Sequence, residues 1–330
     1  MTFYDDWLAS QAEIEASFHR SPGVARDSDQ PWVETRHDAR VKLMLAPELG
    51  FPTMGGAVLK AELPPGEHTG LHRHGDEAVH VLEGTGFALI DGHRFDVRPG
   101  STLQIPYRSA HRLVNTGATS LRYVSGMAFP LERFVNLVTL EQIEDRGENT
   151  DALLALPAES GQSLPDGQRV IIHLDEARST LPDGEAGLIA AYQQQHGTVH
   201  YLAVPENGFP ERVRTSVAMT HVFSEPAGHH GGRHKHLEAV LYVLDGEGYS
   251  DVGDRPQQWS TGDVLHIPPA MWEHEHYNEG SRASRLLRIQ FGIRYWFTDL
   301  WPEGYAPQRI YDEDGQPLVA GRTVEQSAQG

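Results

Sequence analysis

Gly66-Glu67-His68-Thr69-Gly70-Leu71-His72-Arg73-His74-Gly75-Asp76-Glu77 is answered, 162 residues on, by Gly228-His229-His230-Gly231-Gly232-Arg233-His234-Lys235-His236-Leu237-Glu238. Each copy is followed by a pair of glycines, Gly84 and Gly86 or Gly246 and Gly248. Each then runs through a Gly-x5-Pro segment to one more histidine before an asparagine: Gly100, Pro106, His111 and Asn115, or Gly262, Pro268, His274 and Asn278. The offset is 162 up to Pro106/Pro268 and 163 from His111/His274 onward, so the second copy gains one residue in its Pro–His turn. A repeat of this kind indicates two domains of one architecture.

With 19 histidines in 330 residues, roughly one His-x-His is expected by chance. The chain has three, at His72/His74, His234/His236 and His274/His276. One alone carries little. Two locked into the same frame of Gly, Glu and Gly-Pro-His carry much more. Residues i and i+2 of a strand point to one face, so His72 and His74 aim into a common interior. Glu77 arrives from the following turn or strand start, and His111 from a later strand. Three imidazoles and a carboxylate at one point suit a divalent transition metal: Fe(II), Mn(II), Ni(II), Cu(II) or Zn(II). Gly84, Gly86 and Gly100 read as tight-turn residues.

Around this frame, short apolar runs separated by Gly, Pro and Asp predict an all-β, antiparallel sandwich or barrel. They are Val41–Leu45, Ala57–Leu63, Ala78–Leu82, Phe87–Ile90, Ser101–Ile105 and Leu121–Val124. Residues 5–19 predict an amphipathic helix, with Trp7, Ile14 and Phe18 on one face, that packs or makes a dimer contact. Residues 131–156 read as helical, with the charged stretch Glu141–Asp151 as a linker. Strands resume near Val170. The polar stretch Asp312–Gly330 is expected to be poorly ordered apart from Pro317–Val319. The organisation expected is a helical segment over 1–30, a domain over 31–140, a linker over 141–168, a second domain over 169–300 and a tail over 301–330.

The formal net charge of −19 argues against nucleic acid and anionic membrane surfaces as partners. The chain has no cysteine, which excludes disulfides, thiolate metal sites and cysteine nucleophiles. Met1–Ser10 lacks the apolar core of a secretory signal, and no stretch has the length of a membrane span, so a cytoplasmic location is expected.

The run Gly66-x5-His72-x-His74-x2-Glu77-x6-Gly84, with Gly100-x5-Pro106-x4-His111-x3-Asn115, resembles the two motifs of the cupin superfamily. Gly228 to Asn278 resembles a second motif pair, so the chain resembles a bicupin. The resemblance covers roughly residues 50–128 and 212–292. It implies two jelly-roll-like β-barrels in tandem, each with metal at its centre. It also implies His72, His74, Glu77 and His111 as one ligand set, and His234, His236, Glu238 and His274 as a second. In the usual cupin pattern the second His and the Glu stand further apart than here. Glu77 keeps its frame to Gly84, whereas Glu238 lies one residue further from Gly246. Strict repeat alignment instead pairs Asp76 with Glu238, so Asp76 and Glu77 remain alternatives. His276 competes with His274, which is preferred because Asn278 follows it as Asn115 follows His111. Gln104, His266, His276, Arg288 and Gln290 stand on strands that line the pockets. His229 and His230 are expected to be exposed in a Gly-rich turn.

Within the superfamily, His72-Arg73-His74 and Pro65-Gly66-Glu67-His68 look similar to gentisate- and salicylate-type ring-cleaving dioxygenases. That similarity implies a non-haem Fe(II) enzyme oxidising a small aromatic or otherwise metal-chelating hydroxy acid with O2. Such enzymes typically use three histidines and no Glu ligand, and this chain offers a Glu in each copy. The alternative classes are an isomerase, decarboxylase or lyase using a redox-neutral metal as Lewis acid, and a non-catalytic small-molecule-binding cupin. A homodimer or homotetramer is the assembly the resemblance implies.

Overall fold

The computed structural model describes residues 2–53, 55–137, 140–158, 161–179, 198–210, 214–292 and 309–310. The segments 293–308 and 311–330, with the expected order at Pro317–Val319, lie outside the described residues. Helix α1 (Phe3–Arg20) starts with a capping box, in which Thr2 and Asp5 exchange hydrogen bonds. None of its residues is buried. Its end docks, with the Phe18 ring 6.2 Å from that of Trp272 and Arg255 donating to the carbonyls of Phe18 and Ser21.

The apolar runs of the first copy form strands Arg40–Leu45, Ala57–Leu63, Glu77–Glu83, Gly86–Ile90, Ser101–Ile105 and Leu121–Met127. With their partners they build a six-stranded and a five-stranded antiparallel sheet. The second copy builds another such pair. The fold is all-β, and each sheet pair encloses a barrel interior. Gly84, Gly100, Gly246 and Gly262 all have positive φ, which is why glycine recurs at the turns of both copies.

Residues 131–156 are not continuously helical. Short helices α2 (Phe129–Phe134) and α3 (Thr150–Leu154) flank a strand, Glu141–Glu144. Left-handed backbone at Asn136, Gly147 and Asn149 interrupts any longer helix. The strand pairs with Leu71–Arg73, placing Gln142 opposite His72. Glu144 receives a hydrogen bond from the buried Arg112. The stretch that reads as a linker thus forms the edge of the first barrel, beside its histidines.

The two barrels also exchange edge strands. Val24–Ala25, from the start of the chain, pairs with Val264–Ile267 of the second copy. Ile171–His173 pairs with Ser101–Ile105 of the first. The outer faces of the two six-stranded sheets then pack together. On Glu77–Glu83, Val79 and Val81 face the first barrel's core while Ala78 enters the shared core between barrels. On Ala239–Asp245, Leu241 and Val243 face inward while Val240 and Tyr242 enter the shared core. Gly56 allows the closest approach, since a Cβ there would lie 1.8 Å from the Phe291 ring.

Two buried carboxylates latch this junction. Oδ2 of Asp76 accepts from the backbone N–H of Ser216 at 2.7 Å and from its hydroxyl at 3.0 Å. Oε2 of Glu238 accepts from the backbone N–H of Gly55 at 2.8 Å, while its Oε1 lies 2.9 Å from Nε2 of His266. Each latch reaches from one barrel to the loop that begins the other. Removing an acceptor strands buried donors, so Glu238→Ala should lower the unfolding free energy by about 1–3 kcal/mol, and Asp76→Ala by a similar amount. Denaturant titration followed by tryptophan fluorescence measures this, and unchanged midpoints would show that the latches contribute nothing.

Candidate metal centres

In the first barrel His72 and His111 are directly opposed across adjacent strands. His74 follows its strand end, and Glu77 opens the strand Glu77–Glu83 of the facing sheet. One donor atom from each of His72, His74, Glu77 and His111 fits within 4.8 Å of the others. Ring centroids are 4.5 Å apart for His72/His111 and 4.9 Å for His74/His111. Asp76, next to Glu77, faces the opposite way into the junction latch. Of the two carboxylates left open by the sequence, the structure brings Glu77 to the histidines.

In the second barrel the register repeats, with His234 opposite His274. His234, His236 and His274 gather their donor atoms within 4.8 Å. Centroids lie 4.2 Å apart for His234/His274 and 4.4 Å for His236/His274. Glu238 is not brought to this trio. It sits at the repeat position of Asp76 and latches the junction, and the position matching Glu77 is Ala239, which has no donor. His276, two residues beyond His274, is also buried, with Nδ1 2.7 Å from the Ser250 hydroxyl. That hydroxyl also accepts the indole N–H of Trp259.

The outer nitrogens show what the inner ones are set up to do. Nδ1 of His74, His111, His234, His236 and His274 lies 3.1, 2.8, 2.8, 2.5 and 3.0 Å from a backbone carbonyl oxygen. A carbonyl can only accept, so each Nδ1 carries the proton, and Nε2 is the nitrogen aimed at the centre: unprotonated it can bind a cation, and protonated it can donate to Glu77, which lies 3.0 Å from Nε2 of His111. This is the arrangement a metal-bound imidazole requires, and it recurs in both barrels. The residues present therefore fit a divalent cation in each.

The two sets differ electrostatically. In the first, burial and then the charge of His111 hold His72 down to about 3. Burial disfavours the Glu77 carboxylate, but hydrogen bonds from His111 and His74 outweigh it and hold Glu77 well below the usual range. Glu77 in turn overcomes burial at His74 and raises it. Ser125 also donates to Glu77. Two further carboxyls, neither marked by any motif, lie close. Asp38 shares a small cavity with His72, Glu77 and Tyr123, and burial, then the charge of Glu77, raises its pKa. Glu132 of α2 reaches over Gly75, where a Cβ would lie 1.7 Å from its oxygen, and burial raises its pKa too. Among the described residues the second set has no carboxylate, and burial, then the neighbouring imidazoles His234 and His276, hold His274 well below its ordinary value. Arg288 adds to this effect and is buried. It occupies the register position that Ser125 has in the first barrel, opposite Leu241 as Ser125 is opposite Val79.

The remaining sequence candidates divide by strand face. Gln104 and His266 are repeat partners and both turn to the junction, Gln104 donating to the Val217 carbonyl at 3.0 Å and His266 meeting Glu238. Gln290 is buried on the strand of Arg288. His230 is exposed as expected and His229 is half-buried, and they pair with Glu275 at 2.6 Å and Glu225 at 3.0 Å respectively.

Comparison with known proteins supports this architecture. The cupin-domain family model matches residues 59–127 and again 221–289. A 98-residue stretch is 29 % identical to an uncharacterized protein of Methanocaldococcus jannaschii, covering 29 % of this chain and 77 % of that one. Among solved structures, a salicylate 1,2-dioxygenase from Pseudaminobacter salicylatoxidans is 14 % identical, with a TM-score of 0.59 over 84 % of this chain and 81 % of that one. A variant of the Bacillus subtilis oxalate decarboxylase is 16 % identical, with a TM-score of 0.58 over 82 % and 77 % of the two chains. With the cupin domain found twice, and each copy folded as its own barrel, the chain is a bicupin.

Proposed function

We propose that the chain is a metal-dependent enzyme, and that its second barrel holds Fe(II) through His234, His236 and His274 to oxidise a small aromatic or metal-chelating hydroxy acid with O2. The observation that carries this is the three-imidazole set, without a carboxylate among the described residues, beside a buried guanidinium. Neutral imidazoles leave the full charge of a divalent cation uncompensated, so an anionic, two-oxygen substrate completes the site. Fe(II), when bound, supplies Lewis acidity toward the substrate oxygens and electrons toward O2. The protein supplies the rest. Arg288 offers its guanidinium to the substrate carboxylate. His276, ordered by Ser250 and Trp259, stands ready to hydrogen-bond a substrate oxygen or hold its proton. The surrounding Val252, Leu241 and Ile267 keep water out. Three histidines without Glu is also the set that the resemblance to gentisate- and salicylate-type enzymes calls for.

The first barrel supports a second reading. Its His72, His74, Glu77 and His111 set already contains a carboxylate, and Asp38 and Glu132 beside it tend toward their protonated forms. That environment disfavours a further anion and suits a redox-neutral metal, Mn(II) or Zn(II), in a structural role or in proton-transfer chemistry of an isomerase, lyase or decarboxylase. A homo-oligomer also fits the chain. Trp7 of α1 is 65 % exposed, with Phe3, Leu8 and Ile14 exposed along the same helix. An antiparallel partner helix from a second copy would bring Asp5 and Asp6 against His19 and Arg20.

Metal analysis of the purified chain tests the ligand assignment. His72→Ala and His234→Ala should each remove one metal equivalent, and Glu77→Ala should weaken the first site about tenfold or more. Glu238→Gln, which keeps an acceptor for the Gly55 N–H and so preserves the latch, should leave both equivalents in place, and its losing the second metal would overturn the three-histidine assignment. Oxygen uptake of the Fe(II)-loaded enzyme with salicylate, gentisate and aliphatic 2-hydroxy acids tests the reaction. Uptake should be substrate-dependent, abolished by His234→Ala and retained in His72→Ala, and Arg288→Met should raise KM about tenfold to a hundredfold. Turnover without O2 would favour the redox-neutral reading instead. In analytical ultracentrifugation Trp7→Glu with Ile14→Glu should lower the assembly mass, and an unchanged mass would remove α1 from the interface.

A further inference from the structure

A cleft of about 790 Å³ opens where the two six-stranded sheets meet, away from both histidine clusters. It follows from the same alternation that builds the barrels. His80 and Tyr242 are repeat partners on Glu77–Glu83 and Ala239–Asp245, and both point outward from their own barrel into this cleft. His80 is 2 % exposed and Tyr242 3 %. Nδ1 of His80 lies 2.8 Å from the Thr102 hydroxyl, while among the described residues its Nε2 has no hydrogen-bond partner. The Tyr242 hydroxyl likewise has none. Neither atom is sealed off by its neighbours, so both are open to a partner in the cleft.

The charges around the cleft single out one more group. Lys60 pairs with Asp27 at 3.0 Å, Arg98 with Asp175 at 2.7 Å, and Arg122 with Glu62 at 3.1 Å and Glu83 at 2.9 Å. Arg285, exposed in the same cleft, has no acidic partner among the described residues. It stands close enough to His80 to add to the burial that holds that imidazole neutral, down to about 4.

We propose that this interdomain cleft is a second ligand site, and that it takes a small organic acid bearing a hydroxyl. The carboxylate sits on Arg285, and the hydroxyl bridges Nε2 of His80 and the phenol of Tyr242. The volume is ample for such a molecule. The site is independent of the metal chemistry proposed above, because none of the residues of either histidine cluster lines it.

Calorimetric titration of the metal-loaded chain with 3-hydroxybenzoate tests this, since its meta oxygens cannot chelate one metal together. Saturable binding is expected, weakened about tenfold or more by Arg285→Ala. Tyr242→Phe, which deletes only a hydroxyl, should weaken it about threefold to tenfold. His72→Ala and His234→Ala should bind as the parent does. Absence of saturable binding at millimolar probe, parent-like affinity in Arg285→Ala, or loss of binding in His234→Ala would each overturn the proposal. Circular dichroism of the variants separates loss of the site from loss of the fold.

Discussion

Two six-stranded sheets buried on both faces constrain everything else in this molecule. A strand sends successive side chains to opposite faces, so every residue on Glu77–Glu83 or Ala239–Asp245 must satisfy either a barrel interior or the junction. Asp76 and Glu77 are neighbours in sequence with opposite fates. Glu77 turns inward to three histidines, and Asp76 turns outward to the Ser216 amide. In the second copy the acid occupies the outward position only, as Glu238, and the inward one is Ala239. One residue of phase therefore decides whether a carboxylate can neutralise a cation or instead fastens two barrels together.

That phase difference sets two electrostatic environments on one scaffold. The first barrel concentrates acid, with Glu77, Asp38 and Glu132 around its histidines. The second concentrates neutral imidazole and adds Arg288 where the first has Ser125. A cation bound by carboxylate and imidazole has much of its charge compensated before any ligand arrives. One bound by imidazole alone retains it, and a nearby guanidinium strengthens the preference for an anion. The division of labour proposed for the halves rests on these charges rather than on any difference in fold.

Much of this was legible in the sequence. The glycine and histidine spacing carried the repeat, the all-β architecture and six of the histidines, because turns with positive φ and same-face alternation leave direct marks on a chain. The carboxylate was harder. The motif resemblance kept Glu238 among the ligands although it lies one residue further from Gly246 than Glu77 does from Gly84, while strict repeat alignment set it beside Asp76, and only the packed junction shows which face it takes. The edge strand Glu141–Glu144 was illegible for a different reason. Its residues are mostly polar and exposed, with Ile143 the one apolar side chain, so no apolar alternation announces it, and its place depends on the partner strand carrying His72. Asp38 and Glu132 come from segments far from any motif, and only tertiary packing brings them to the histidines.

The junction does more than join the halves. Asp76 lies two residues from His74, and Glu238 two residues from His236. Each latch holds the chain just after the second histidine of its copy, where the strand has ended and the backbone is otherwise least constrained. Hydrogen bonds from Nδ1 to local carbonyls orient the rings, but they do so only if those carbonyls are themselves fixed. Gly75 and Leu237, whose carbonyls meet His74 and His236, each lie directly between a ligand and a latch. The barrels thus need one another for the positions of their donors as well as for the burial of their outer faces, which is a physical reason for both to reside in one chain.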